Sequence, residues 1–363
     1  MGNIFAIVIY MFVCCAVYQS GINGINYAEQ GGRLELPVSG ATGWAAVNMP
    51  LRAEPANDAE TLLQLRAGQG FTIISEYGDW WNVNVAFDND CGVYNVSGWV
   101  LHNSCFINLP DVIPSLVFAN TNACASVKRS GGYKIPNVTG FVLYNARAFN
   151  ERLGRYEFIV PALYSTALRI FEAQQSALAD GNTIIMYEAF RPRAAQQSVV
   201  RNLQNLMDSN RTVRNAINTP PWSVGWFIST GISNHQRGAA VDVSLGRVIS
   251  YEIRTSGAYS YVHITAFEHF EMPTPMHELS PLAATFARPV ASSSSDAWRA
   301  AVLASTMTEG AVLLQRYLTG AGFTPLASEW WHFNDLAGVR IANIAGITGD
   351  FFTETIYSKI PNL

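Results

Sequence analysis

The sequence predicts an α+β chain in two parts, a small all-β barrel followed by a larger domain of helices on an antiparallel sheet. Three observations predict it. Residues 40–108 are short β-rich runs broken by glycine and Asp/Asn turns. From Pro161 onward, helical apolar stripes alternate with strand-like runs. Two distant segments, Ser233 to Asp242 and Glu329 to His332, carry imidazoles and carboxylates that a sheet face can gather into one site. A chain of 363 residues is long enough for two such domains and a buried core.

The elements follow in order. Ile4 to Val17 is an almost unbroken apolar run with no charged side chain before Glu29. It is short for a membrane span, which needs about 20 residues. Residues 1–18 therefore read as a secretory signal peptide, with an uncleaved signal anchor as the alternative, and the protein is expected to be secreted or extracytoplasmic. In 40–108 the strand cues are Val47 to Arg52, Leu65 to Gly68, Phe71 to Ile74, Trp80 to Val85 and Gly98 to Val100. Residues 109–135 read as a linker and 136–363 as the larger domain. There, Pro161 to Ala179 predicts a helix with proline at its start and Gly181 past its end. A strand over Thr183 to Tyr187 and a helix over Ala194 to Met207 follow. Asp296 is expected to cap a third helix from Ala297 to about Leu318. With the leader removed, Cys91, Cys105 and Cys124 remain, and Cys91 with Cys105 is the preferred disulfide because the two flank a predicted hairpin.

The chemistry concentrates in the two distant segments. Gly238 permits a tight turn after His235, and Ala240 to Leu245 alternates with period two, which puts Asp242 on a face of small residues. His235, Asp242 and His332 make a usual three-ligand set for catalytic zinc, which leaves a fourth position for water. Glu329, three residues before His332, is then free to take that water's proton. A structural zinc site has no need of such a carboxylate. His102, His263, His269 and His277 show no comparable pattern.

These residues resemble a known family. Ser-x-His-x-x-Gly-x-Ala-x-Asp with Glu-Trp-Trp-His looks like the zinc D-alanyl-D-alanine peptidases, most closely their dipeptidase branch. Tyr187 to Ala194, with Arg191-Pro192, resembles that family's strand-end block. The resemblance spans about residues 130–363 and implies a Hedgehog-like α+β domain. It implies zinc on His235, Asp242 and His332, Glu329 as general base, Arg191 at the oxyanion or the substrate carboxylate, and Ser233 holding substrate. Glu271 to Pro275 resembles the family's acidic-Met block, so Glu271 is expected near the substrate amine. Phe190 departs from the usual tyrosine, and the stretch 246–272 is longer than compact members need. Residues 40–108 resemble a bacterial-type SH3 domain, which implies cell-wall binding through an aromatic groove or a packing role, separable from the chemistry.

The reading is a secreted zinc peptidase for D-Ala-D-Ala or related peptidoglycan fragments. A carboxypeptidase or endopeptidase on intact stem peptides is the enzymatic alternative, and a catalytically vestigial wall-binding module is the non-enzymatic one. Only 14% of residues are charged and the formal net charge is -4, so no nucleic-acid partner is expected. Oligomeric state is left open.

Overall fold

The computed structural model describes residues 33–89, 92–119, 128–135 and 148–361. Two sheets organise the chain. The first is antiparallel and contains β1 (Thr42–Ala45), β2 (Met49–Arg52), β3 (Thr61–Leu65), β4 (Gly70–Tyr77), β5 (Trp80–Asn89), β6 (Gly92–Leu101) and β7 (Cys105–Asn108). The short strands β8 (Val117–Phe118), β9 (Arg129–Ser130), β10 (Tyr133–Lys134), β11 (Ala148–Asn150) and β12 (Arg155–Glu157) come next, and then β13 (Pro161–Leu163). The first sheet runs in the order β13-β7-β1-β4-β5-β6-β2-β3. Its end strands do not pair with each other, so the expected barrel is instead an open eight-stranded sheet.

The second sheet takes its strands from later in the chain. After α1 (Tyr164–Ala179) come β14 (Asn182–Glu188), α2 (Arg193–Ser209), α3 (Arg211–Ile217), the long hairpin β15 (Ala240–Ser256) and β16 (Tyr259–His269), α4 (Glu309–Gly320), β17 (Thr324–Leu326), β18 (Glu329–Asn334) and α5 (Leu336–Ala345). The order is β17-β18-β15-β14-β8, with β16 also on β15. Strand β14 is buried along nearly its whole length, as the run Ile184-Ile185-Met186 requires.

Several expectations change. Pro161 opens a strand rather than a helix, and at the end of the first sheet its missing N–H costs no ladder bond. The stretch read as a linker contributes β8, which pairs parallel to β14. Asp296 makes no cap. Ala297–Ala300 is a single 3-10 turn, and Thr308 caps the later helix by accepting from the Ala311 N–H. Cys105 is a free thiol, fully buried against Met49 Sδ, at the opposite end of β6 from Gly92. With Cys105 free, the expected Cys91–Cys105 disulfide is not formed. Cys91 and Cys124 lie outside the described residues, as does the expected leader. No helix among the described residues is long and apolar enough to cross a membrane.

Two apolar clusters join the sheets. Trp81 meets Tyr164 of α1 at a ring separation of 4.7 Å, and Phe106 meets Phe190 at 4.9 Å. Phe190 also stacks on Phe351 at 5.2 Å, so this side chain is used here for packing. Past α5 the chain returns to the first sheet, where Trp44 Nε1 donates to Glu354 O (2.9 Å) and the Lys359 N–H to Gly40 O (2.8 Å).

Candidate metal centre

Three neighbouring strands place the site. Asp242 on β15 stands opposite His332 on β18, and Glu188 on β14 stands opposite Asp242. Paired residues of antiparallel strands point to the same face, so the three side chains form one row. A bulge sets this register: Met186 faces Val243, Glu188 faces Asp242, and Tyr187 is the extra residue between them. A second register shift, between Pro325 and Leu326, marks the start of β18, where Glu329 turns toward His332.

His235 arrives from the 3-10 turn Asn234–Arg237, which Gly238 closes in the left-handed conformation at φ 64°. Only glycine serves there. A Cβ would lie 2.6 Å from the Phe106 ring and 2.9 Å from Leu163 N, so the first sheet packs directly under the turn. The Leu163 N–H donates to Gly238 O (2.9 Å), and the Arg191 N–H donates to His235 O (3.2 Å).

The hydrogen bonds fix both imidazole tautomers. His235 Nδ1 lies 2.6 Å from Ala189 O, which can only accept, so the proton is on Nδ1 and Nε2 presents a lone pair. Asn334 Oδ1 accepts from Asn234 Nδ2 (2.8 Å) and from His332 Nε2 (3.0 Å), which leaves the His332 Nδ1 lone pair free to face the site. These two nitrogens are 3.1 Å apart, and Asp242 Oδ1 lies 3.2 Å from the first and 3.0 Å from the second. Three electron-rich atoms at such distances repel unless a cation sits among them. A tetrahedral ion with bonds of about 2.0–2.1 Å has ligand-to-ligand edges of about 3.3 Å, so the donor set fits zinc. Burial works against protonating His332, but Asp242 and Glu329 outweigh it and raise its pKa, the response of a site that needs positive charge.

A second ring of groups holds Asp242. Its Oδ2 accepts from His277 Nε2 (3.0 Å) and from an Arg191 terminal nitrogen (3.2 Å). Burial opposes its ionisation, yet the adjacent His235 and the hydrogen bond from His277 hold its carboxyl well below the usual range. Arg191 also grips Glu188 with two bonds (2.6 and 2.9 Å) and donates to Gln196 Oε1 (2.6 Å), so four of the five N–H groups of its guanidinium are engaged within the protein. Burial opposes the Glu188 charge too, but Arg191 and Lys128 bring its pKa to about 2. Lys128 Nζ lies 3.5 Å from Glu188 Oε2. Burial, then Lys128, depresses His277 to about 4, so it is a neutral donor through Nε2. Glu188, Asp242 and His277 form a second cluster of possible ligands, but Arg191 and Lys128 already supply its positive charge.

Glu329 lines the same cleft, with an oxygen 3.8 Å from His332 Nδ1. Burial pushes its pKa up to about 7. The cleft, of about 600 Å³, is bordered by Lys128, Trp226, Ser233, His277, Glu329 and Trp331 among others. Ser233 opens the turn in a capping box with Gln236: its side chain faces the Gln236 N–H, and its own N–H donates to Gln236 Oε1 (2.7 Å).

Of the residues singled out from sequence, the structure gathers His235, Asp242, His332, Glu329, Arg191 and Ser233 at one cleft. It does not bring Glu271 there. That side chain is exposed, and its carbonyl accepts from Thr308 Oγ1 (2.7 Å). His277, which shows no metal-ligand pattern in the sequence, is 1% exposed and bonded to Asp242. Lys128, Glu188, Gln196 and Asn334 were also missed. Asn334 was within reach, since it shares a strand face with His332 two residues away. Lys128 and His277 sit in irregular chain with no periodicity to flag them.

Residues 160–343 match the peptidase M15 family described as D-ala-D-ala dipeptidase. No curated protein matches the chain.

Proposed function

The chain belongs to the D-Ala-D-Ala dipeptidase family of the M15 peptidases, and from that premise we propose that it is a zinc-dependent D,D-peptidase that hydrolyses the D-Ala-D-Ala bond of peptidoglycan-derived peptides. The observation that carries this reading is the convergence of His235 Nε2, His332 Nδ1 and Asp242 Oδ1 within 3.2 Å of one another, with Glu329 alongside. Those three residues would hold the ion. Bound zinc supplies Lewis acidity, polarising a carbonyl and acidifying water to a pKa of about 7.

The chain's own groups do the rest. Glu329 is the proton carrier: it takes a proton from water and delivers it to the leaving amine as the amide C–N bond breaks and the water oxygen remains on the carbonyl carbon. A pKa raised by burial suits both halves of that cycle. Arg191 and His277 orient Asp242, and Ala189 O and Asn334 orient the two imidazoles, so the ligands are held before the metal arrives. Ser233, which borders the cleft and keeps its O–H as a donor, is placed to bond the substrate backbone. A dipeptide fills only part of a 600 Å³ cleft, which favours a second reading in which the bond is cut at the end of a longer stem peptide. The apolar run at residues 4–17 supports action outside the cytoplasm.

The test is zinc content and hydrolysis measured together. Alanine at His235, Asp242 or His332 should abolish stoichiometric zinc and activity alike. Glu329→Gln should keep its zinc and lose about 10²–10⁴-fold in turnover. Full zinc in His235→Ala, or normal turnover in Glu329→Gln, would remove the assignment.

A further inference from the structure

The outer face of the first sheet carries chemistry that the metal centre does not use. Along β5, Trp81, Val83 and Val85 are fully buried, so Trp80, Asn82, Asn84 and Ala86 point away from the core. Antiparallel pairing sets neighbours beside each of them on the same face. On one side, β4 sets Tyr77 beside Trp80, Ser75 beside Asn82 and Thr72 beside Asn84. On the other, β6 sets Trp99 beside Asn82, Ser97 beside Asn84 and Asn95 beside Ala86.

Two features set this face apart. Its aromatic rings are grouped and reach solvent: Tyr77 is 69% exposed, and its ring meets Trp99 edge-on at 6.5 Å across β5. Large apolar side chains left together at a surface mark a binding site. The second feature is neutrality. Among these rows the one charged side chain is Arg52, beside Trp99, and it donates to Ala59 O (2.8 Å). Glu76, next to Tyr77 in the chain, pairs with Trp81 and belongs to the opposite face. A face with one cation does not suit a polyanion, and an extended peptide adds to a strand edge rather than lying across a sheet. Sugar rings match both features. Their C–H faces are drawn to the negative face of an aromatic ring, and their hydroxyls donate and accept as serine and asparagine do. Asn84 Nδ2 donates to Ser97 Oγ (3.1 Å), which fixes both side chains and leaves Asn84 Oδ1 as acceptor and the Ser97 hydroxyl as donor.

We propose that the outer face of β4, β5 and β6 binds an uncharged polysaccharide, whose rings stack on Tyr77, Trp80 and Trp99 while Asn82, Asn84 and Ser97 bond its polar groups. From Trp80 to Ala86 the face runs about 20 Å along β5, which accommodates consecutive sugar units rather than one. The site is open sheet, not the groove that the sequence suggests, and none of its residues borders the metal cleft. It supplies attachment to a sugar chain and does not depend on the peptidase reading.

The experiment is calorimetric titration of full-length protein with hexamers of β-1,4-linked N-acetylglucosamine and of β-1,4-linked glucose, with an oligogalacturonate as the charged control. Tyr77→Ala, Trp99→Ala and Asn84→Ala are titrated alongside. A neutral hexamer should bind more tightly than its single sugar, and each aromatic variant should weaken it by about three- to tenfold. D-Ala-D-Ala hydrolysis by these variants should stay at the wild-type rate. Preference for the N-acetylated chain would support the proposal and assign the asparagines to its amide groups, with wall glycan as the source; equal binding of both would support it with any flat β-linked chain as the source. No binding of either hexamer at millimolar concentration, unchanged binding in Tyr77→Ala and Trp99→Ala, or stronger binding of the galacturonate overturns it. So does sedimentation that shows a dimer lost in Tyr77→Ala, which would make the face a contact between copies. Should Trp99→Ala not fold, the exposed positions Tyr77 and Asn84 still decide the outcome.

Discussion

Glu35 and Glu329, one in each half of the molecule, are buried carboxylates that burial raises to the same pKa of about 7, and their surroundings differ. Glu35, ahead of the first sheet, is fully buried and pushed by burial to about 7. It accepts from the Ser115 N–H and hydroxyl and from Gln175 Nε2, and so ties the amino-terminal segment to α1. Glu329 reaches a similar value, also by burial, but no hydrogen-bond donor reaches it among the described residues, and it borders a cleft. A displaced pKa is therefore not by itself a mark of chemistry. The decisive differences are access and the company kept: Glu35 is satisfied by donors and closed in, whereas Glu329 faces a set of ligands through open space.

The same contrast runs through the sheets. The first has no cluster of ligating side chains among its described residues, yet it supports the second. Strand β13, from the catalytic part of the chain, completes the first sheet by pairing with β7, and Phe106 of β7 fills the space that Gly238 leaves beneath the His235 turn. The expectation of a separable amino-terminal unit gives way to the opposite prediction, which is the largest effect expected. A chain starting at residue 109 loses seven of the eight strands of the first sheet and exposes β13, Phe190 and the returning C-terminal segment. It should fail to fold cooperatively and should bind no stoichiometric zinc. A soluble shortened chain with a sharp thermal transition and dipeptide hydrolysis would show that the sheets are independent.

What could be read from the sequence divides along the same line. The ligand motif was legible because His235 and Asp242 lie in one short turn-and-strand, and period two put Asp242 on a face of small residues. The strands of 40–108 were legible as strands, but their closure was not, because pairing partners such as β13 come from far along the chain. Helix boundaries failed where tertiary contacts won: Pro161 joined a sheet, and Thr308 rather than Asp296 supplied the cap. The groups that orient the ligands were the least visible. Lys128, Glu188 and His277 reach Asp242 or its neighbours across 114, 54 and 35 residues respectively, and no local pattern encodes such meetings.

Those orienting groups supply the next effect in size. Second-ring partners of metal ligands are typically worth about 10–100-fold in metal affinity or activity. His277→Ala removes a donor to Asp242 Oδ2 and Arg191→Lys removes the fork that joins Asp242 to Glu188, so each should weaken zinc binding by about that factor. Competition against a chromogenic chelator measures it. Unchanged affinity in both variants would mean that β14, β15 and β18 hold Asp242 unaided.

The smallest effect separates the two carboxylates directly. A folded-state pKa of about 7 lies above the ordinary 4.5, so between those values the folded protein binds more protons than the unfolded chain, and stability falls as pH rises. Both carboxylates should lower the stability of the zinc-free protein above pH 7 and leave it unaffected below about 4.5. A shift of that size has a ceiling of about 3 kcal/mol, which screening in the open cleft should reduce to about 1 for Glu329. Glu329→Gln gives up no hydrogen bond among the described residues, so at pH 8 it should raise the melting temperature of zinc-free protein by a few degrees and at pH 4 it should change nothing. Zinc then discriminates between the sites. Its charge favours the Glu329 carboxylate and should erase most of the gain, whereas the pH slope from Glu35, enclosed by Ser115 and Gln175, should persist. Melting curves of wild type and Glu329→Gln from pH 4 to 8, with and without zinc, give the comparison. A variant less stable than wild type in zinc-free buffer at pH 8 would show that Glu329 is held by favourable contacts, as Glu35 is, and not poised for proton transfer.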